Sequence, residues 1–113
     1  MMDLTQAVKS LSALAQESRL AVYKLLVQAG PAGLAAGIIA EQLGISASGL
    51  SFHMKELTYA GLVTSRTEGR YVIYSAEITH MNSLLTYLQE NCCGGNPCSP
   101  ILQAACAPQA ERF

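Results

Sequence analysis

Residues 38–57 restrict the fold of this chain more than any other segment. Ala40 is small enough to stand where two helices cross, Gly44 follows four positions later, and Leu50 follows six positions beyond the glycine. Glycine adopts a left-handed backbone without a steric cost, and the leucine can fix a second helix onto the first. The spacing therefore predicts a helix-turn-helix, whose second helix, the recognition helix, enters the major groove of DNA. A short helical hairpin with no role in DNA binding has the same spacing and stays open as an alternative.

Apolar residues at the spacing of an amphipathic helix predict the rest of the helical framework. The predicted helices are residues 4–14, residues 18–30 with Ser18 as N-cap, residues 35–43, a segment from Ser46 or Ser48 to about Ala60, and residues 78–91. Gly30-Pro31 ends the second of them, because glycine closes a helix and proline cannot continue it.

Between the fourth and fifth helices the hydrophobic period changes to two, which is typical of β-strands. Residues 62–75 follow this period, and Glu68-Gly69 at their centre suits a hairpin turn. Arg66 and Arg70 lie on either side of that turn, where they can meet phosphates or enter a minor groove. The predicted fold is thus mostly α with one β-hairpin, a winged helix-turn-helix. Two solvated arginines on an edge hairpin are the less favoured interpretation.

The recognition helix carries small and polar residues outside its apolar face, which Leu50, Met54 and Leu57 form. Hydroxyl and basic groups can bond bases or phosphates, and glycine allows a close approach to the groove. The predicted DNA contacts of this helix and the wing are Ser46, Ser48, Gly49, Ser51, His53, Lys55, Arg66 and Arg70. For His53 a plain surface position is an equally good interpretation, and we expect Phe52 to be partly buried against a neighbouring helix.

The composition of the chain limits which class of protein it can belong to. Half of the 113 residues are hydrophobic and only 13% are charged, so we expect one folded domain, residues 1–91, and a flexible tail, residues 92–113. Such low charge also suggests apolar surface for a second copy of the chain, a homodimer. The net charge of −1 gives no global attraction to nucleic acid, so DNA binding needs a local basic patch.

Several other classes are not expected. No apolar run approaches the length of a membrane span, and the first ten residues do not resemble a signal peptide, so we expect no membrane partner and a cytoplasmic location. Paired carboxylates, a phosphate-binding loop and a nucleophile motif are all missing from the sequence. We therefore expect neither an enzyme nor an organic cofactor. His80, the histidine of the fifth helix, is expected to be a surface residue.

Three segments resemble the ArsR/SmtB family of repressors, small dimeric winged-helix proteins that leave their operator when a metal or metalloid binds. They are ESRLAVYKLL, IAEQLGISASGLSFHMKELTYAGLV and RTEGRYVIYS. The resemblance extends over about residues 4–88. It implies double-stranded operator DNA as the partner and a homodimer whose interface is formed by the first and fifth helices.

The sequence contains four cysteines, which all follow the segment that carries the resemblance: Cys92, Cys93, Cys98 and Cys106. Arsenite sensors of this family often carry a Cys-x-Cys pair before the recognition helix, but GLAAGIIAEQL contains no cysteine. Instead, ENCCGGNPCSP looks like the C-terminal arsenite site of another branch. Thiolates select soft, thiophilic ions, and the glycines and proline between Cys93 and Cys98 allow a sharp backbone reversal. Cys92, Cys93 and Cys98 are therefore the predicted ligands of As(III), with Sb(III) as a second candidate.

The sequence thus predicts a homodimeric repressor that As(III) releases from its operator. A zinc- or cadmium-responsive repressor is one alternative, since Cys106 could complete a tetrahedral site. A redox-responsive repressor is another, because accessible adjacent thiols oxidise readily. A small thiol protein that carries a metal, with the helix-turn-helix only as scaffold, is the third.

Overall fold

All five predicted helices form, and a short additional strand joins the predicted hairpin. The computed structural model describes residues 2–90. Its elements are α1 (Leu4–Leu14), α2 (Glu17–Ala29), a 3₁₀ turn (Gly30–Ala32), β1 (Leu34–Ala35), α3 (Ala36–Leu43), α4 (Ala47–Tyr59), β2 (Val63–Glu68), β3 (Tyr71–Ala76) and α5 (Ile78–Gln89). Within these residues the fold is a winged helix-turn-helix, in which α3 and α4 form the helix-turn-helix and β2 and β3 form the wing.

Local chemistry sets the ends of the helices in this motif. Gly44 adopts the left-handed conformation, with φ of 66°, and ends α3 as predicted. Ser46 then caps α4, because its Oγ accepts a hydrogen bond from the Gly49 amide at 3.1 Å. The prediction that Ser18 caps α2 is wrong. Gln16 is in the extended conformation and its side-chain oxygen accepts from the Arg19 amide at 2.9 Å, so the N-cap lies two residues before the predicted one.

The hydrophobic core lies where α2, α3 and α4 meet the base of the hairpin. Its most buried large side chains are Val22, Leu26, Ile39, Met54, Leu57, Leu62 and Val63. The inward positions predicted for α4 are confirmed, since Leu50, Met54 and Leu57 are at most 2% exposed. This packing fixes which face of α4 points away from the protein.

The sheet has the strand order β1-β3-β2, with both pairs antiparallel. Glu68 is opposite Tyr71 across the predicted hairpin turn, and Leu34 is opposite Tyr74 on the other edge of β3. β1 was not predicted from the sequence, because a strand of two residues is too short to produce a detectable period. Its consequence is that the wing is joined to the segment that leads into the helix-turn-helix.

No helix in residues 2–90 is long and apolar enough to cross a membrane.

Tyr23 is a polar side chain within the core, and its hydroxyl has no hydrogen-bond partner among residues 2–90. Burial, with a smaller contribution from the negative charge of Glu77, raises the pKa of Tyr23 above its ordinary value of 10.0. The pKa of Tyr23 is thus higher in the folded protein than in the unfolded chain. The stability that depends on a neutral Tyr23 is therefore fully present below pH 10 and is lost as the pH rises through the folded-state pKa.

We expect Tyr23→Phe to keep the free energy of unfolding at neutral pH or to raise it by up to about 1 kcal/mol, because it removes a buried hydroxyl without breaking a hydrogen bond. The variant should also lose less stability than the wild type between about pH 8 and about pH 10.5. Urea unfolding of both proteins at the two pH values checks this. An identical loss of stability in the two proteins would contradict it.

Candidate nucleic-acid interface

The outer face of α4 is the surface that the helix-turn-helix offers to DNA. In a helix of 3.6 residues per turn, the positions opposite the buried Leu50 are those of Ser48, Phe52, Lys55 and Tyr59. All four residues are exposed, Phe52 to 54% and Tyr59 to 73%. This face combines two aromatic rings with a hydroxyl and an ammonium group.

The predicted contacts on α4 divide into two groups. Ser48, Ser51 and Lys55 are exposed and free to meet DNA, as their positions predict. Ser46 and Gly49 instead shape the start of the helix. The Ser46 hydroxyl is engaged as the N-cap, and a Cβ added at Gly49 would lie 3.0 Å from it. The DNA contacts of all five residues stay predictions.

His53 lies on the flank of α4 that faces α2, not at the centre of the outer face. It is half-buried, and its Nδ1 accepts a hydrogen bond from Arg19 Nε at 3.3 Å. The Arg19 guanidinium also lies 5.4 Å from the centre of the Phe52 ring. The expectation that Phe52 is partly buried is therefore wrong, because the ring projects from the outer face and is exposed, although the Arg19 guanidinium of α2 lies near it.

Arg19 was not predicted from the sequence to belong to this surface. A signal for Phe52 existed, because the helical period set by Leu50, Met54 and Leu57 places it opposite the core. No comparable signal existed for Arg19, since it belongs to another helix.

The two wing arginines have different surroundings. The Arg66 guanidinium pairs with the Glu68 carboxylate and donates to the Ser75 hydroxyl at 3.3 Å and to the Ala32 carbonyl at 2.8 Å. Arg70 is exposed in the β2–β3 turn and has no hydrogen bond or ion pair to any of residues 2–90. Arg66 thus ties the wing to the 3₁₀ turn, while Arg70 is available to a phosphate.

This difference predicts distinct effects of two alanine substitutions. Arg70→Ala should leave the free energy of unfolding unchanged. It should reduce the steepness with which the logarithm of DNA affinity falls with the logarithm of salt concentration by about 0.9 per protomer, the effect of one lost phosphate contact. Arg66→Ala should lower the free energy of unfolding by about 1 kcal/mol, because it breaks internal hydrogen bonds of an exposed side chain. Urea unfolding and DNA titrations at several salt concentrations measure both effects. An unchanged salt slope in Arg70→Ala would exclude the phosphate contact.

His80 is not a surface residue, contrary to the sequence-based expectation. It is half-buried, and its Nε2 lies 2.8 Å from the Oγ of Ser10, a fully buried residue of α1. Its ring also lies against Gly61, just after α4, where an added Cβ would be 3.1 Å from the histidine Cε1. His80 therefore joins α5 both to α1 and to the end of the recognition helix.

Apolar side chains remain exposed on α1 and α5. They are Leu4, Val8, Leu11, Ile78 and Leu88, each between 43% and 67% exposed. So much apolar surface on two helices is unusual for a monomer.

The predicted metalloid ligands Cys92, Cys93 and Cys98, like Cys106, lie outside the described residues. The last described helix, α5, ends at Gln89, three positions before Cys92. Within residues 2–90, no group of three His, Cys, Asp or Glu side chains could hold a metal ion.

Comparisons with known proteins agree with this geometry. A family model described as a helix-turn-helix domain matches residues 14–66. HlyU from Vibrio cholerae N16961 is 34% identical, with a TM-score of 0.61 over 77% of this chain and 97% of that chain. An ArsR-like transcriptional regulator from Rhodococcus sp. RHA1 is 27% identical, with a TM-score of 0.67 over 75% of this chain and 77% of that chain. The HTH-type transcriptional regulator YgaV of Escherichia coli (strain K12) is 28% identical over 88 residues, 78% of this chain and 87% of the relative.

Proposed function

The chain belongs to the ArsR family of helix-turn-helix transcriptional regulators, and we propose that it is a homodimeric repressor that As(III) or Sb(III) releases from its operator. The observation that carries the DNA-binding part is the exposed face of α4 beside a wing whose Arg70 has no hydrogen bond or ion pair within residues 2–90. In a dimer, two such faces would enter successive major grooves, with half-sites about 34 to 36 Å apart.

The proposed dimer interface consists of α1 and α5. Their exposed apolar residues Leu4, Val8, Leu11, Ile78 and Leu88 support this assignment, because a second copy of the chain would remove them from water. The family resemblance implies the same two helices.

The proposed ligand site consists of Cys92, Cys93 and Cys98. Three thiols would replace the three hydroxyl groups of arsenous acid, forming three As–S bonds and releasing three water molecules. The position of Cys92 supports a regulatory role, since it follows the end of α5 by three residues.

Release of DNA would follow from the contacts of α5. A metalloid bound directly after α5 would displace this helix, which His80 joins to Ser10 of α1 and to Gly61 after α4. A shift of α5 would thereby alter the dimer and the spacing of the two recognition helices. Linkage requires that DNA and arsenite weaken each other's binding equally, by about 1 to 3 kcal/mol in systems of this kind.

Fluorescence anisotropy on DNA from upstream of the protein's own gene tests this proposal. The reduced protein should bind this DNA, and micromolar arsenite or antimonite should release it. Release only by zinc or cadmium would support the zinc- or cadmium-responsive repressor, and release only by an oxidant would support the redox-responsive repressor. Absence of binding in every state would support the thiol protein that carries a metal. Arsenite affinity that is identical with and without DNA would contradict the release mechanism.

A further inference from the structure

Phe52 occupies an unusual position for a large apolar side chain. It is 54% exposed at the middle of the outer face of α4, with Ser48 one turn before it and Lys55 one turn after it. Residues three and four positions apart are neighbours on a helix surface, so the hydroxyl and the ammonium group flank the ring. An aromatic ring surrounded by polar groups on a DNA-facing helix indicates an apolar partner in the groove.

Two side chains hold the ring in place. The Arg19 guanidinium lies 5.4 Å from the ring centre, within the range of a cation–π contact. The His53 ring approaches edge-on, with centres 5.9 Å apart and planes inclined by 61°. Arg19 Nε in turn donates to His53 Nδ1 at 3.3 Å. Arg19 and His53 are therefore positioning residues, which reduce the freedom that the Phe52 ring would lose on binding.

The major groove of unmodified DNA presents one distinctly apolar group, the 5-methyl of thymine, and apolar side chains such as phenylalanine contact it. We propose that Phe52 contacts the methyl group of one thymine in each operator half-site and so contributes to sequence specificity. This inference rests on the operator binding proposed above. It also assigns His53 a role in holding Phe52 rather than in bonding a base.

Operator DNA with deoxyuridine in place of thymine tests this contact, because the exchange removes only the methyl group. Symmetric pairs of thymines are replaced one pair at a time, and affinity is measured by anisotropy. At one pair of positions, loss of the methyl group should lower the affinity of the wild type about fourfold per half-site, which corresponds to about 0.8 kcal/mol for one buried methyl group. Because the dimer contacts two half-sites, its affinity should fall about 15-fold. Phe52→Ser should bind both DNAs with equal affinity.

Tyr59→Ser is the matched control. Tyr59 is also an exposed aromatic residue on the outer face of α4, with Lys9 Nζ 3.7 Å from its ring centre. It lies at the C-terminal end of the helix, whereas the N-terminal residues of a recognition helix contact the bases. Tyr59→Ser should keep the full thymine preference. Arg19→Ala should reduce the preference without abolishing it, because the ring remains but is less restrained.

Circular dichroism and urea unfolding of each variant check that the fold is intact, which is expected because Phe52 and Tyr59 are exposed. Equal binding of thymine and uracil operators by the wild type at every position would overturn the methyl contact and leave the repressor function standing. A thymine preference that persists in Phe52→Ser would overturn it as well. Failure of the wild type to bind any of these DNAs would instead refute operator binding itself.

Discussion

Replacing Gly33 with alanine is expected to lower the free energy of unfolding by about 3 to 5 kcal/mol, the upper end of single-residue effects. Gly33 has φ of 71° and ψ of −170°, a backbone conformation that essentially only glycine adopts and that costs other residues about 1 to 3 kcal/mol. A Cβ there would also lie 2.3 Å from the Tyr74 carbonyl oxygen and 2.6 Å from the Ser75 Oγ. Because Tyr74 is paired in the sheet, the clash can be relieved only by moving β3 away from β1.

The same movement would disturb the wing. Arg66 donates to the Ala32 carbonyl and to the Ser75 hydroxyl, so its partners lie on the two segments that alanine would force apart. We therefore expect Gly33→Ala to weaken DNA binding even in the fraction of molecules that stays folded.

Gly30→Ala is the control for this substitution. Gly30 has a similar φ of 77° in the same turn, but nothing lies within 4 Å of an added Cβ. It should therefore cost only about 1 to 3 kcal/mol, the penalty for the backbone conformation. Urea unfolding of the three proteins measures both values. Equal destabilisation by the two alanines would show that the close approach of β3 to Gly33 contributes nothing.

Cys98→Ser is expected to abolish release by arsenite while leaving operator affinity unchanged. In the wild type, a coupling of about 1 to 3 kcal/mol corresponds to an affinity for DNA that arsenite lowers by about 5- to 150-fold. Serine supplies a hard hydroxyl in place of a soft thiolate, so the variant would keep only two of the three proposed ligands. Anisotropy titrations of the DNA complex with arsenite measure the effect.

Cys106→Ser serves as the matched control, since we propose no arsenic ligand at Cys106. It should retain the response of the wild type. A loss of the arsenite response in this variant would require Cys106 as a ligand. A loss of DNA binding in Cys98→Ser, without any arsenite, would point instead to a structural metal held by the tail.

The positions of the helices, including the recognition helix, could be predicted closely, whereas several side-chain contacts of the candidate interface could not. The inward face of α4 followed from the spacing of Leu50, Met54 and Leu57, which is a property of neighbouring residues. The exposed side of the same helix was harder to assign. Phe52 was expected to be partly buried against a neighbouring helix, yet its position opposite Leu50 leaves the ring exposed.

The helix-turn-helix, the left-handed turn at Gly44 and the hairpin could be predicted, because each depends on residues within a few positions of one another. The pairing of β1 with β3, the hydrogen bond from Arg66 to Ala32 and the contact between Arg19 and His53 became visible only in the folded protein. The same is true of the hydrogen bond between Ser10 and His80, which are 70 positions apart. Such partners depend on how whole elements pack against each other, and local spacing carries no information about that packing.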